Sequence, residues 1–262
     1  MAEPPSLQPS VEVATGMRCA QSADGRIERW ELHNPARRNA VTPAALRWIE
    51  ARCGELDGQA VILGSSDGPF CSGFDLTELA AALAADPNTL PDRDLIDATA
   101  AMRHASALFI AAVRGYAIGA GVELLACCDL RIMSEGSFIE IPAARLGVVY
   151  HAAGIQRFRA VFGGQVTTRL LALGERVDAK TLASAGALSR VLPVEEVDPN
   201  ALQSASKLAR LDANAIRHNL RFLRATDDGR LDAALLEAHR AARVEAYDRV
   251  SRASRSLESK KR

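Results

Sequence analysis

The stretch Gly115-Tyr-Ala-Ile-Gly-Ala-Gly-Val-Glu-Leu-Leu-Ala-Cys-Cys-Asp129 decides the fold. Ahead of it, Phe109 to Val113 is an apolar run of strand length. Gly115, Gly119 and Gly121 let the backbone turn tightly and come close to another segment. Val122 to Cys128 is apolar except for Glu123 and reads as a short buried helix. A carboxylate one turn into such a helix needs a partner or a task, because a buried lone charge is costly. Free N–H groups at the start of the helix can hold an oxyanion, with the carboxylate beside it. The plain alternative is a glycine-rich turn whose Glu reaches solvent or an arginine. The stretch alone leaves both readings open.

A second stretch, Ala60-Val-Ile-Leu-Gly-Ser-Ser-Asp-Gly-Pro-Phe-Cys-Ser-Gly-Phe-Asp-Leu-Thr-Glu-Leu79, is a strand, a polar loop and a helix start. Within it, Phe70-Cys-Ser-Gly-Phe-Asp-Leu76 resembles the F-C-A-G-x-D-L motif of the crotonase superfamily, the enoyl-CoA hydratases and isomerases. Ala111-Ala-Val-Arg-Gly-Tyr-Ala-Ile-Gly-Ala-Gly-Val-Glu-Leu-Leu-Ala-Cys-Cys-Asp129 resembles that family's A-A-V-x-G-x-A-x-G-G-G-x-E-L-x-x-x-C-D. The order and spacing agree, and the resemblance runs from about Arg26 to about Pro193.

The resemblance implies an α/β fold: a crotonase-like spiral of β-β-α repeats with a C-terminal helical region. It also implies an acyl-CoA thioester as substrate, an enolate as intermediate and no cofactor, coenzyme A being part of the substrate. Two backbone N–H groups aimed at the thioester oxygen would stabilise that enolate by several kcal/mol. At the matching positions they belong to Phe74 and Ala120, with Gly73, Asp75, Gly119 and Gly121 shaping the binding loops. The family usually carries a small residue where Phe74 stands, so Phe74 either narrows the site or packs in the core. Glu123 matches a catalytic carboxylate of hydratases, an acid/base expected in apolar surroundings.

The sequence then departs from the family. Hydratases usually place a second Glu after a proline, but Pro142-Ala-Ala-Arg-Leu-Gly-Val-Val-Tyr-His151 has Ala143 there. Glu140, three residues earlier, faces either the pocket or solvent. Leu146-Gly-Val-Val-Tyr150 resembles the L-G-V-P-Y run of methylmalonyl-CoA decarboxylases, in which a tyrosine holds the carboxylate to be lost. Decarboxylation of a malonyl-type CoA using Tyr150 is therefore one alternative, although the His those enzymes tend to carry at the place of Phe74 is absent. A non-catalytic acyl-CoA-binding protein is another. His151 is either a substrate contact or a structural loop residue. Arg37 and Arg38, before Asn39-Ala40, either meet the nucleotide end of CoA, Arg38 foremost, or form a solvated turn.

Composition narrows the class. The 262 residues are 48% hydrophobic and 24% charged, with a formal net charge of zero. This is ordinary for a soluble globular protein and gives no reason to expect nucleic acid or an anionic membrane as partner. Cys19, Cys53, Cys71, Cys127 and Cys128 lack metal-ligand spacing and fit buried thiols in a reducing compartment. No bound metal is expected. No apolar run has the length of a membrane span and no N-terminal signal is evident, so a cytoplasmic protein is expected.

Along the chain, residues 1–12 read as a disordered tail, 13–196 as the core and 197–262 as helices that assemble subunits. A strand is expected over Arg26–Leu32, and a helix from Thr42-Pro43 to about Leu56 with Thr at its cap. Asp75 caps the next helix, which Asp86-Pro-Asn-Thr-Leu-Pro-Asp92 breaks. Further helices are expected from about Asp94 to Ser106, from Gly154 to Leu173 with a break at Gly163-Gly164, and from Asp178 to Ala185. Strands are expected over Leu130–Met133, Phe138–Ile141 and Leu188–Leu192. Arg103-His104 and the arginine-rich C-terminal helices read as solvated faces, and Ser251–Arg262 as a frayed end. In the family such C-terminal helices pack across subunits, which implies a homotrimer or homohexamer.

Overall fold

The chain forms a large seven-stranded sheet and a small three-stranded one, with helices interspersed among the strands and three more at the C-terminal end. The computed structural model describes residues 5–85 and 90–259. In chain order it contains β1 (Val11–Ala14), β2 (Met17–Gln21), β3 (Ile27–Leu32), α1 (Pro43–Cys53), β4 (Asp57–Ser65), α2 (Leu76–Ala85) and α3 (Arg93–His104). Next come β5 (Ser106–Val113), β6 (Tyr116–Ile118), α4 (Ala120–Cys127), β7 (Leu130–Ser134), β8 (Phe138–Glu140), α5 (Ala143–Leu146) and α6 (Ala152–Ala172). The chain continues through β9 (Val177–Asp178), α7 (Ala179–Ser184), β10 (Arg190–Leu192), α8 (Val194–Leu208), α9 (Ala213–Asp227) and α10 (Ala233–Ser259).

The large sheet has the order β1-β2-β3-β4-β5-β7-β10, and the small one β6-β8-β9. From β3 onward the large sheet is parallel, while β1 and β2 extend it antiparallel. In β5–β6–α4 and again in β7–β8–α5, a strand of the large sheet leads to one of the small sheet and then a helix. This is the spiral β-β-α repeat that the resemblance implies.

The central strands are apolar on both faces, as parallel strands covered on both sides must be. Val61, Leu63, Phe109, Ala111 and Val113 join Trp30, Leu46, Ile49, Met102, Val122 and Leu125 in one core cluster. The alternate residues Ala60, Ile62, Leu108, Ile110 and Ala112 face Val197, Ala201 and Ala205 of α8 in another. The helix α8 thus crosses the expected boundary at 196 and forms a layer of the core itself. The guanidinium of Arg224 in α9, only 2% exposed, donates to both oxygens of Asp129 at 2.8 and 2.5 Å. It also donates to the carbonyls of Ala105 and Ala107 at 2.9 and 2.7 Å. One buried arginine therefore ties the C-terminal helices to the last residue of the glycine-rich stretch.

Local signals act as expected at several ends. Thr42 Oγ1 accepts from Ala45 N–H at 3.1 Å with Pro43 opening α1, and Asp178 accepts from Thr181 N–H at 2.7 Å ahead of α7. Gly163, at φ 77° and ψ 166°, interrupts α6. Other expectations need correction. Within the stretch read as a tail, Leu7 bridges Ser22, Gln8 N–H bonds the Gln21 carbonyl at 2.8 Å, and β1 is an edge strand. Residues 1–4 of that stretch, like 86–89 of the expected break, lie outside the described residues. Arg103 is not solvated: it is buried against Asp227 and Asp228 at 3.3 and 3.2 Å. The helix α10 continues through the segment expected to fray, as far as Ser259.

Candidate active site

Glycines bring the two motif stretches into contact. The loop after β4 runs beside β6, with Cys71 N–H on the Tyr116 carbonyl at 3.1 Å and Ile118 N–H on the Cys71 carbonyl at 3.0 Å. Gly73 has φ +101°, and a Cβ there would lie 3.3 Å from the Ile118 carbonyl oxygen. A Cβ on Gly119 would meet Gly73 Cα at 4.0 Å, and one on Gly121 would overlap Cys71 Cβ at 2.6 Å. At Gly121 a Cβ would force the segments apart, whereas at Gly73 and Gly119 it is the positive φ, +101° and +52°, that favours glycine.

Phe74 and Ala120 each follow one of these facing glycines. Val41 N–H bonds the Gly73 carbonyl at 2.8 Å and Asp75 N–H the Val41 carbonyl at 3.4 Å, which leaves Phe74 N–H out of that bridge. Gly119 N–H is taken by the Glu140 carbonyl at 2.9 Å, and Ala120 is the first residue of α4. Among the described residues neither the Phe74 nor the Ala120 N–H has an acceptor in the chain. Free backbone donors on adjoining loops, one of them at a helix start, are groups of the kind that can hold an anion. The Phe74 ring, half-buried, packs against the core.

One turn into α4, Glu123 is fully buried, but its surroundings are not the apolar ones expected from the sequence. Tyr150 Oη donates to Oε2 at 2.9 Å. Arg157 Nη1 donates to Oε1 at 3.1 Å, and His151 Nε2 lies 2.8 Å from the same oxygen without the alignment of a hydrogen bond. Thr99 Oγ1 approaches Oε1 at 3.4 Å. The α6 end supplies most of this shell. His151 caps the helix, its Nδ1 accepting from Gly154 N–H at 3.2 Å, so that Nε2 is the ring nitrogen on the Glu123 side. Gly154 has no Cβ where one would meet Tyr150 Cε1 at 2.8 Å, so the tyrosine ring can lie on the first turn. Burial, and then the Glu123 charge, push the Tyr150 hydroxyl well above its ordinary pKa, so it remains a donor.

The structure separates the other residues singled out from the sequence. Asp75 Oδ1 accepts from Thr77 N–H at 2.9 Å at the start of α2, a capping role. Arg38, exposed and at φ 52°, ends the turn whose next residue, Asn39, is buried and donates to the Asp67 and Pro69 carbonyls at 2.6 and 2.8 Å. Ala143 is buried at the start of α5. Glu140 faces neither pocket nor open solvent as a free group: Arg145 and Arg176 occupy its two oxygens. Burial pushes its carboxyl up, but hydrogen bonds from Arg176 and Arg145 outweigh that and leave it below the usual carboxylate range. Cys71, fully buried behind Gly121, is pushed up to about 12 by burial and has no nucleophilic character. Arg157, Thr99 and Gly154 were not singled out from the sequence. The available signal was the spacing of His151, Gly154 and Arg157, three residues apart on one helix face.

Comparison with known proteins finds relatives along most of the chain. The family model described as Enoyl-CoA hydratase/isomerase matches residues 24–258. The 2,3-dehydroadipyl-CoA hydratase of Escherichia coli K12 is 32% identical over 222 residues, covering 82% of this chain and 85% of that protein. The mitochondrial enoyl-CoA hydratase domain-containing protein 3 of Rattus norvegicus is 31% identical over 189 residues, covering 71% of this chain and 63% of its own length. Among solved structures, a Thermobifida fusca YX protein, named as a candidate enoyl-CoA hydratase and solved in complex with acetoacetyl-CoA, superposes with a TM-score of 0.74 at 26% identity. That match covers 89% of this chain and 95% of the other. No helix among the described residues is long and apolar enough to cross a membrane.

Proposed function

The chain belongs to the enoyl-CoA hydratase/isomerase family, and from that premise we propose that it converts an enoyl-CoA thioester through a thioester enolate, with Glu123 as the proton acceptor and donor. The observation that carries this reading is the approach of Gly73 to Gly119, which sets the unpaired Phe74 and Ala120 N–H groups on adjoining loops one helical turn from Glu123. Negative charge that develops on the thioester oxygen between those donors is stabilised without reorganisation of solvent.

One carboxylate suits a proton shift better than conventional two-carboxylate hydration. Glu123 takes a proton from C2 of a 3-enoyl thioester, the dienolate charge rests on the thioester oxygen, and the same proton returns at C4 to give the 2-enoyl thioester. Ala143 carries no acid, and both oxygens of Glu140 are held by arginines, so neither supports a second proton transfer. The reaction written this way uses no cofactor beyond the CoA moiety of the substrate. Decarboxylation through Tyr150 is disfavoured because its one proton is given to Glu123 and is not available to a substrate carboxylate.

The test is turnover of a 3-enoyl-CoA, crotonyl-CoA and methylmalonyl-CoA by wild type and Glu123→Gln. Isomerisation is expected to lead, and the variant to lose roughly 10²–10⁴-fold. Carbon dioxide release as the main activity, tight binding without turnover, or an unimpaired Glu123→Gln would each overturn the reading.

A further inference from the structure

The two oxygens of Glu123 have different surroundings. Oε1 is held by the Arg157 guanidinium and approached by the His151 ring, so it has no room for a proton. Oε2 has a single neutral partner, the Tyr150 hydroxyl. Glu123 is fully buried, whereas Tyr150 is only partly buried, and Tyr150 and His151 are the partners through which the network reaches the surface. Oε2 is therefore the oxygen of Glu123 left to take a proton, and the group bonded to it is the Tyr150 hydroxyl.

We propose that the Tyr150 hydroxyl is a catalytic proton relay between the acyl chain and Glu123 Oε2. This rests on the enolate chemistry proposed for the same site. As the C2–H bond breaks, its proton passes to Tyr150 Oη and the electron pair moves to the thioester oxygen. In the same step the hydroxyl proton of Tyr150 passes to Glu123 Oε2. The return to carbon runs the relay backwards, so neither a phenolate nor a second acid is needed. Arg157 and His151 keep Oε1 fixed, which leaves Oε2 as the one oxygen that changes protonation. A hydroxyl held neutral by burial suits a relay, which never carries the charge itself.

The relay is tested by exchange of the C2 protons of butyryl-CoA in deuterated water, followed by NMR, beside isomerisation of a 3-enoyl-CoA. Tyr150→Phe keeps the ring that stacks on His151 and packs on Phe158 and removes only the hydroxyl. Both Tyr150→Phe and Glu123→Gln are expected to lower exchange by roughly 10²–10⁴-fold with little change in KM. A folded Tyr150→Phe within about threefold of wild type, beside a disabled Glu123→Gln, would show that Glu123 acts directly and would overturn the relay alone. Wild-type rates in both variants would overturn the underlying reading as well. If Tyr150→Phe fails to fold, 3,5-difluorotyrosine at position 150 preserves shape and makes the phenol more acidic. An altered exchange rate and solvent isotope effect then support the relay, and unchanged values overturn it.

Discussion

Gly121→Ala is the sharpest test of how the anion-stabilising pair is built. The backbone of Gly121 needs no unusual dihedral angle, so the cost of a methyl group is purely spatial. The new Cβ would lie 2.6 Å from Cys71 Cβ and 2.9 Å from Cys71 Sγ. Carbon atoms in contact sit about 3.5–4.0 Å apart, so the β4 loop and α4 must separate by roughly 1 Å. Overpacking of this kind costs about 1–3 kcal/mol, or a fall in Tm of about 2–12 °C for a chain of this size. The effect on rate should be larger than the effect on stability. Gly121 follows Ala120, and Cys71 precedes Phe74 by three residues, so the separation moves one donor away from the other. N–H···O bonds usually span about 2.7–3.2 Å, so a shift of this size takes a donor out of range, and loss of one such donor costs roughly 10²–10³ in rate. Calorimetry and isomerase assays on Gly121→Ala measure both quantities. Gly54→Ala is the control: its φ of −68° suits alanine and its nearest contact is 3.4 Å, so it should stay within about 0.5 kcal/mol of wild type. A folded Gly121→Ala with wild-type Tm and rate would refute the claim that these glycines place the donors.

Arg224→Met should cost about 3–5 kcal/mol in denaturant unfolding, because it leaves the Asp129 carboxylate with only the Phe109 N–H and no cation, and takes the Arg224 donor from the Ala105 and Ala107 carbonyls. A loss below about 1 kcal/mol would mean that the C-terminal helices do not depend on that anchor. Assembly as a trimer or a pair of trimers is expected from the exposed Leu236, Val244 and Tyr247 on α10, an apolar set with little cover in one subunit. Light scattering that returned a monomer at micromolar concentration would remove that expectation.

The meeting of the two motifs was legible in the sequence because glycines encode backbone approach directly. Gly73, Gly119 and Gly121 each stand where a Cβ would touch the other segment or where the backbone turns unusually. The caps at Thr42 and Asp178 were legible for the same local reason. Partners that meet only through tertiary packing were not. Nothing near Glu140 in sequence points to Arg176; they meet because β8 pairs with β9, Ile139 opposite Val177. Arg103 looked solvated because Asp227 and Asp228, which bury it, come more than a hundred residues later. The strand β1 escaped notice because an exposed edge strand has no apolar run to mark it.

The partner of Glu123 bears most directly on function. An arginine was one of the sequence's open alternatives, and Arg157 fills that place. An arginine on a buried carboxylate could signify structure alone, and the two buried glutamates allow a comparison. Both oxygens of Glu140 are held by arginines whose side chains are 53% and 68% exposed, at the edge of the small sheet. That arrangement leaves no oxygen free to change protonation. Glu123 commits a cation to one oxygen and only a neutral hydroxyl to the other. A buried ion pair is seldom the most stable filling for a core, since apolar residues of similar volume often do as well or better. Stability therefore gives no reason to keep Glu123, Arg157, His151 and Tyr150 together beneath α4. A carboxylate with one fixed oxygen and one open to proton exchange, set one turn from two unpaired N–H groups, has a chemical reason.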